Sequence, residues 1–269
     1  TDGNWSLAVA TLDAALTAGV RLAGALTVTG ITSGSETGAL TAYTTAKTGA
    51  TTNTLTAADD GAWSIAASDL TTALAAGVRF AGTLTVTAIA NGDETAALTA
   101  FTATTTGATN VTLTATDNVW SVAAPTLDTA LAANVRLAGV LTVTGISTET
   151  DASTKYSKTA TGASNVTLTA SDGTWSAAVS ALNTDLGNDI KYAGALTVTG
   201  ITDKAASLAA YTTAKTGATT NMLTADGTWS VAAITLDTAL NAGVRLVGNL
   251  TVTGIASGTE TTALTAYTT

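Results

Sequence analysis

Asn110-Val111-Thr112-Leu113-Thr114-Ala115-Thr116-Asp117-Asn118-Val119-Trp120-Ser121-Val122-Ala123-Ala124 is the stretch on which the reading of the fold turns. Val111, Leu113 and Ala115 alternate with Thr112 and Thr114, and beyond Thr116-Asp117-Asn118 the residues Trp120, Val122 and Ala124 alternate with Ser121 and Ala123. A period of two marks a half-buried strand. Asp-Asn here, and Asp59-Asp60-Gly61, Asp172-Gly173 and Asp226-Gly227 at the matching places, offer the positive-φ residues of a tight turn. The stretch therefore predicts a β-hairpin.

Working outward, the tryptophan fixes a repeat. Trp5, Trp63, Trp120, Trp175 and Trp229 lie 58, 57, 55 and 54 residues apart, each followed by Ser. Leu follows seven and eleven residues later, a basic residue at sixteen (Arg21, Arg79, Arg136, Lys191, Arg245), and Gly at nineteen (Gly24, Gly82, Gly139, Gly194, Gly248). The segments ALTVTGI, TLTVTAI, VLTVTGI, ALTVTGI and NLTVTGI come next. Such self-similarity precedes any other reading of a chain. Five repeats result, at 1–57, 58–115, 116–170, 171–225 and an incomplete 226–269.

Within a repeat, Val20 to Thr29 predicts a further strand with Val20, Leu22, Leu26 and Val28 on one face and Arg21, Thr27 and Thr29 on the other. Gly24 falls on the apolar face, which predicts a bulge or a close backbone approach. Ala39 to Thr45 predicts a fourth strand. Leu12 to Gly19, with Leu at i and i+4 and a terminal Gly, reads as one helical turn or a compact loop. The expected fold is all-β: a tandem array of five small sandwich-like units. A unit of about 55 residues is marginal alone, so neighbours stack or exchange strands.

The strings TGATNVTLTATDNVWSV (Thr106 to Val122) and TGASNVTLTASDGTWS (Thr161 to Ser176) resemble the bacterial immunoglobulin-like repeats of large surface adhesins and biofilm-matrix proteins, over about a third of each unit. The resemblance implies an Ig-like β-sandwich and a rod-like stalk. An immunoglobulin domain takes about 100 residues, so a strand-swapped or solenoid-like β-repeat stays open as the alternative.

Composition narrows the function. The chain has 269 residues, of which 63 are Thr and 57 Ala, with no His and no Cys. That excludes Ser-His-Asp and Cys-His sites, imidazole or thiolate metal sites and disulfides. A net charge of -9 with ten Lys and Arg argues against nucleic acid. No apolar stretch is long enough for a membrane helix, so no membrane insertion is expected. The absence of Cys fits an extracellular or cell-surface setting.

The candidate sites are few. The five Trp alternate with apolar residues and so read as core anchors rather than a sugar-stacking platform. The basic series faces the Thr side, as a charge that discourages edge pairing. Asp59, Asp60, Asp93 and Glu94 are the candidates for calcium, although turn chemistry accounts for most of them; no cofactor and no catalytic residue is expected. The first repeat opens at Trp5 and the last stops at Tyr267-Thr268-Thr269, both lacking the same strand. These ends are expected to join copies of the chain or adjacent repeats by strand addition. The reading is a structural stalk or filament subunit, with a carbohydrate- or ligand-binding adhesin module as the alternative.

Overall fold

The computed structural model describes residues 3–32, 34–58, 61–149 and 151–267. Its strands are β1 (Asn4–Ala8), β2 (Ala25–Ile31), β3 (Thr52–Ala57), β4 (Ala62–Ala66), β5 (Val78–Ala81), β6 (Thr83–Ile89), β7 (Asn110–Ala123), β8 (Val135–Ile146), β9 (Asn165–Ala178), β10 (Ile190–Ile201), β11 (Thr220–Ala225), β12 (Trp229–Ala232), β13 (Val244–Val247) and β14 (Leu250–Thr253). Helices alternate with them, so the fold is α/β. Among the described residues the strands form sheets ordered β1-β2-β3-β5, β13-β11-β10-β9-β8-β7-β6-β4 and β12-β14, and the registered pairs are all parallel.

This overturns the all-β sandwich and the hairpin. Asn110 to Ala123 is one strand of 14 residues that runs straight through Asp117-Asn118. Asn118 does take a positive φ of 57°, but as a kink within the strand. A period of two is common to parallel and antiparallel strands, and a positive-φ residue serves a bulge as well as a turn. The immunoglobulin-like sandwich falls with the hairpin, and the parallel α/β fold is no evidence for an extracellular filament.

Two further segments differ. Val9–Thr17, Ala67–Ala75, Ala124–Ala132, Val179–Gly187 and Ala233–Asn241 are full nine-residue helices, longer than the single helical turn or compact loop expected. Parallel strands need such crossovers. Ala39 to Thr45, expected as a strand, lies in the helix Glu36–Ala42 and the start of a short helix Thr45–Thr48. Ala, Leu and Glu favour that helix, and Ala39 and Leu40 are its buried residues.

The chain groups into two compact units, Thr1–Leu141 with Thr159–Ser164, and Thr142–Lys158 with Asn165–Thr269. In the first, Trp5, Leu26, Asn53 and Val78 stand in register across β1, β2, β3 and β5, as do Leu7, Val28, Leu55 and Phe80. In the second, Trp175, Leu196, Asn221 and Val244 form the same row across β9, β10, β11 and β13. Each row takes three strands from one repeat and one from the next. A period too short to close a core thus shares every layer with a neighbour. Full burial contributes roughly 1.5–3 kcal/mol per large apolar side chain.

The alternate residues form the other face. Ser6, Thr27, Thr54 and Arg79 stand in register in the first unit, and Ser176, Thr197, Met222 and Arg245 in the second. Thr27, Thr54 and Thr197 are half-buried. The nine-residue helices pack against the strands with one leucine each, Leu12, Leu70, Leu127, Leu182 and Leu236, all buried.

Candidate functional site

The residues with chemistry to offer recur at fixed places, and their partners can be compared repeat by repeat. Every Trp indole donates from Nε1 to the backbone carbonyl 18 residues on: Trp5 to Ala23 (2.8 Å), Trp63 to Ala81 (3.1 Å), Trp120 to Ala138 (2.9 Å), Trp175 to Ala193 (3.1 Å) and Trp229 to Val247 (3.1 Å). Trp63, Trp120, Trp175 and Trp229 are buried, whereas Trp5 is 44% exposed. Phe80 and Tyr192 meet Trp63 and Trp175 edge to face, with centroids 5.1 and 5.0 Å apart.

The arginines have a job that sequence reading missed. Arg79, Arg136 and Arg245 each donate from Nη1 to the carbonyl five residues back, Leu74 (3.1 Å), Leu131 (3.4 Å) and Leu240 (3.0 Å). Those leucines lie in the last turn of the nine-residue helices, where carbonyls lack intrahelical donors and the dipole favours a cation. Lys191 instead donates to the Ala214 carbonyl, at 3.3 Å.

A second set was also missed. Tyr43 donates to Asp13 (2.9 Å), Tyr211 to Asn183 (2.9 Å) and Tyr267 to Asp237 (2.7 Å). The corresponding pair in the second repeat is Thr71 and Phe101, where neither the acid nor the hydroxyl is present. That correlated change was a sequence signal for the contact. Burial, and then Asp13, push the Tyr43 hydroxyl above the ordinary phenol range. Burial followed by Asp185 does the same to Tyr192, which donates to that carboxylate.

The buried Asn53 and Asn221 complete the polar inventory. Their Nδ2 groups donate to the carbonyls of Tyr43 (2.6 Å) and Tyr211 (2.8 Å), and their Oδ1 atoms accept from Thr48 (3.1 Å) and Thr216 (3.0 Å). Val111 and Val166, also buried, fill this place in the intervening repeats. We therefore expect Asn221→Val to stay within about 1 kcal/mol of the parent, while Asn221→Ala, which also leaves a cavity, costs about 2–4 kcal/mol. Urea unfolding of both variants measures the difference; equal losses would contradict this account.

Two of the four calcium candidates, Asp93 and Glu94, fall on described residues. Asp59 and Asp60 lie outside the described residues. Asp93 precedes the helix Glu94–Ala100, and Glu94 accepts the Gly92 N–H at 2.7 Å. Glu36 and Glu260 do the same for Gly34 (2.6 Å) and Gly258 (2.8 Å). Asp117 and Asp172 accept the N–H two residues on, at 3.0 Å each, which holds the Asp172 carboxyl below its usual range. Among the described residues, no three Asp or Glu are placed together as a metal would need.

Of the two end residues, Trp5 stands on β1, which among the described residues pairs on one side, with β2. Tyr267 follows the helix Glu260–Ala266. Among the described residues no helix is long and apolar enough to cross a membrane. What the fold and the inventory define is an α/β repeat array in which the distinctive side chains bond to the fold itself. No protein family, curated protein or solved structure matches the chain.

Proposed function

We propose that the chain is a structural repeat array, a non-catalytic spacer lengthened or shortened by whole periods, whose partners are further repeats of its own kind. The observation that carries this reading is the indole bond made five times, at 2.8 to 3.1 Å, to the same acceptor position. A ligand site needs at least one repeat to divert a side chain outward. Here Trp, Arg, Tyr, Asn and Glu recur in hydrogen bonds that close the local fold. Four of the five indoles are buried, so the repeats do not present a recurring aromatic face on which a sugar would stack, which favours a spacer over a carbohydrate-binding module.

Excision of one period tests it. Deleting Ala108 to Gly162 joins Gly107 to Ala163 and recreates the Thr-Gly-Ala junction. In a quasi-one-dimensional array every remaining layer keeps its neighbours. The expected product folds, with circular dichroism per residue unchanged and a cooperative thermal transition within a few degrees of the parent. A chain that loses its helical signal or its transition would reject the array reading.

A further inference from the structure

In the second unit, the last repeat exposes apolar positions that the other repeats bury. Leu250 is 38% exposed, where Leu26, Leu84 and Leu196 are at most 1% exposed. Ile255 is 39% exposed, against 4% or less for Ile31, Ile89 and Ile201. Leu264 is 74% exposed, against 4% or less for Leu40, Leu98 and Leu208. Beside them lies an open cavity of about 760 Å³ lined by Leu236, Leu240, Leu246, Leu250 and Tyr267.

The structure itself shows what covers these positions elsewhere. Leu26, Leu84 and Leu196 stand opposite Asn53, Val111 and Asn221, and Val28, Val86 and Val198 opposite Leu55, Leu113 and Leu223. At the positions of Leu250, Val252 and Ile255 the covering segment is an extended Asn/Val-x-Leu-Thr-Ala strand running parallel to the Leu-Thr-Val-Thr strand, whereas the helices that carry Leu40, Leu98 and Leu208 pack against the nine-residue helix of the next repeat. Among the described residues β14 has one strand neighbour, β12.

We propose that the patch of Leu250, Val252 and Ile255 is a docking surface for one further Asn/Val-x-Leu-Thr-Ala strand, supplied by another repeat of this class and lying parallel to β14 with its leucine against Val252. This rests on the structural-array reading and names the partner it implies. The recognition is specific in two ways. Backbone pairing fixes direction, and the alternate apolar side chains enter the exposed patch while the threonines face away. A short free strand must itself be ordered, at roughly 1–2 kcal/mol per residue, so attachment to a larger body strengthens its docking.

The test appends a copy of Ala214 to Ala225 (AKTGATTNMLTA) after Thr269, because Tyr267-Thr268-Thr269 matches Tyr211-Thr212-Thr213. A control tail carries Asp in place of its leucine. Hydrogen exchange of the Leu250–Thr253 amides is read in the parent and both extended chains. The native tail is expected to slow exchange at those amides by about tenfold or more, equivalent to about 1.4 kcal/mol, and the Asp tail to leave it at the parent rate. Equal exchange with the two tails overturns the proposal. Excision of Ala108 to Gly162 judges the array reading independently, so failure of one does not imply failure of the other.

Discussion

Replacing Gly82 with alanine is expected to remove about 3–5 kcal/mol of stability, enough to unfold the surrounding layer in a protein of ordinary marginal stability. A Cβ at this position would lie 1.9 Å from the backbone oxygen of Gly61 and 2.8 Å from its carbonyl carbon. Neither atom can swing aside as the end of a side chain would. The Gly61 oxygen also accepts the Thr83 N–H at 2.9 Å, so moving it breaks a ladder bond. The φ of +96° adds the ordinary left-handed penalty of about 1–2 kcal/mol for a residue with a Cβ.

Gly145→Ala supplies the contrast. Gly145 also has a positive φ, +68°, but no atom lies within 4 Å of its Cβ position. Ala88 occupies the equivalent place in the second repeat at φ 57°. The expected loss is only the conformational one, about 1–2 kcal/mol. Urea midpoints of the two variants distinguish crowding from backbone conformation, and similar losses in both would show that the close approach is unimportant.

The second large effect belongs to Trp120. Its side chain is fully buried and bonded to Ala138 at 2.9 Å, so Trp120→Ala removes a large apolar group and leaves a carbonyl without its donor. About 3–5 kcal/mol is expected. Trp120→Phe keeps most of the volume and gives up the hydrogen bond, at about 1–2 kcal/mol. Trp5→Ala, at a site 44% exposed, is expected to cost about 1–2 kcal/mol despite the same bond. Chemical denaturation followed by the remaining indoles ranks the three, and an equal cost at Trp5 and Trp120 would contradict burial as the cause.

The sequence carried the strands more faithfully than their partners. Val78–Ala81, Thr83–Ile89 and Asn110–Ala123 all fall on stretches of alternating apolar and polar residues. Alternation records which face a residue takes and is silent on strand direction. The direction was encoded instead in the connection: Leu12 and Leu16 at helical spacing, between two strands, belong to a crossover. Treating that segment as a mere turn freed the strands to be paired as hairpins. The helix Glu36–Ala42 was obscured for a different reason, because its threonines favour strands intrinsically.

The site was legible where both partners leave a mark in the sequence. Apolar alternation placed the tryptophans toward the core side, and the paired change of Asp13 with Tyr43 to Thr71 with Phe101 was there to be noticed. The helix contact of Arg79 left no mark in the sequence because its acceptor is the Leu74 carbonyl. A backbone acceptor imposes no residue type, so spacing alone could not separate a helix cap from a free surface charge.

The rows that draw three strands from one repeat and one from the next have a consequence for inheritance. The segment that is copied in the gene and the layer that folds cooperatively are out of step with each other. Unequal crossing-over between two misaligned repeats, wherever it falls within the period, therefore joins the front half of one copy to the back half of another and regenerates a whole layer at the seam. Loss or gain of a whole period is therefore expected to leave an intact layer wherever the breakpoint falls, because the near-identical Leu-Thr-Val-Thr segments make the seams interchangeable.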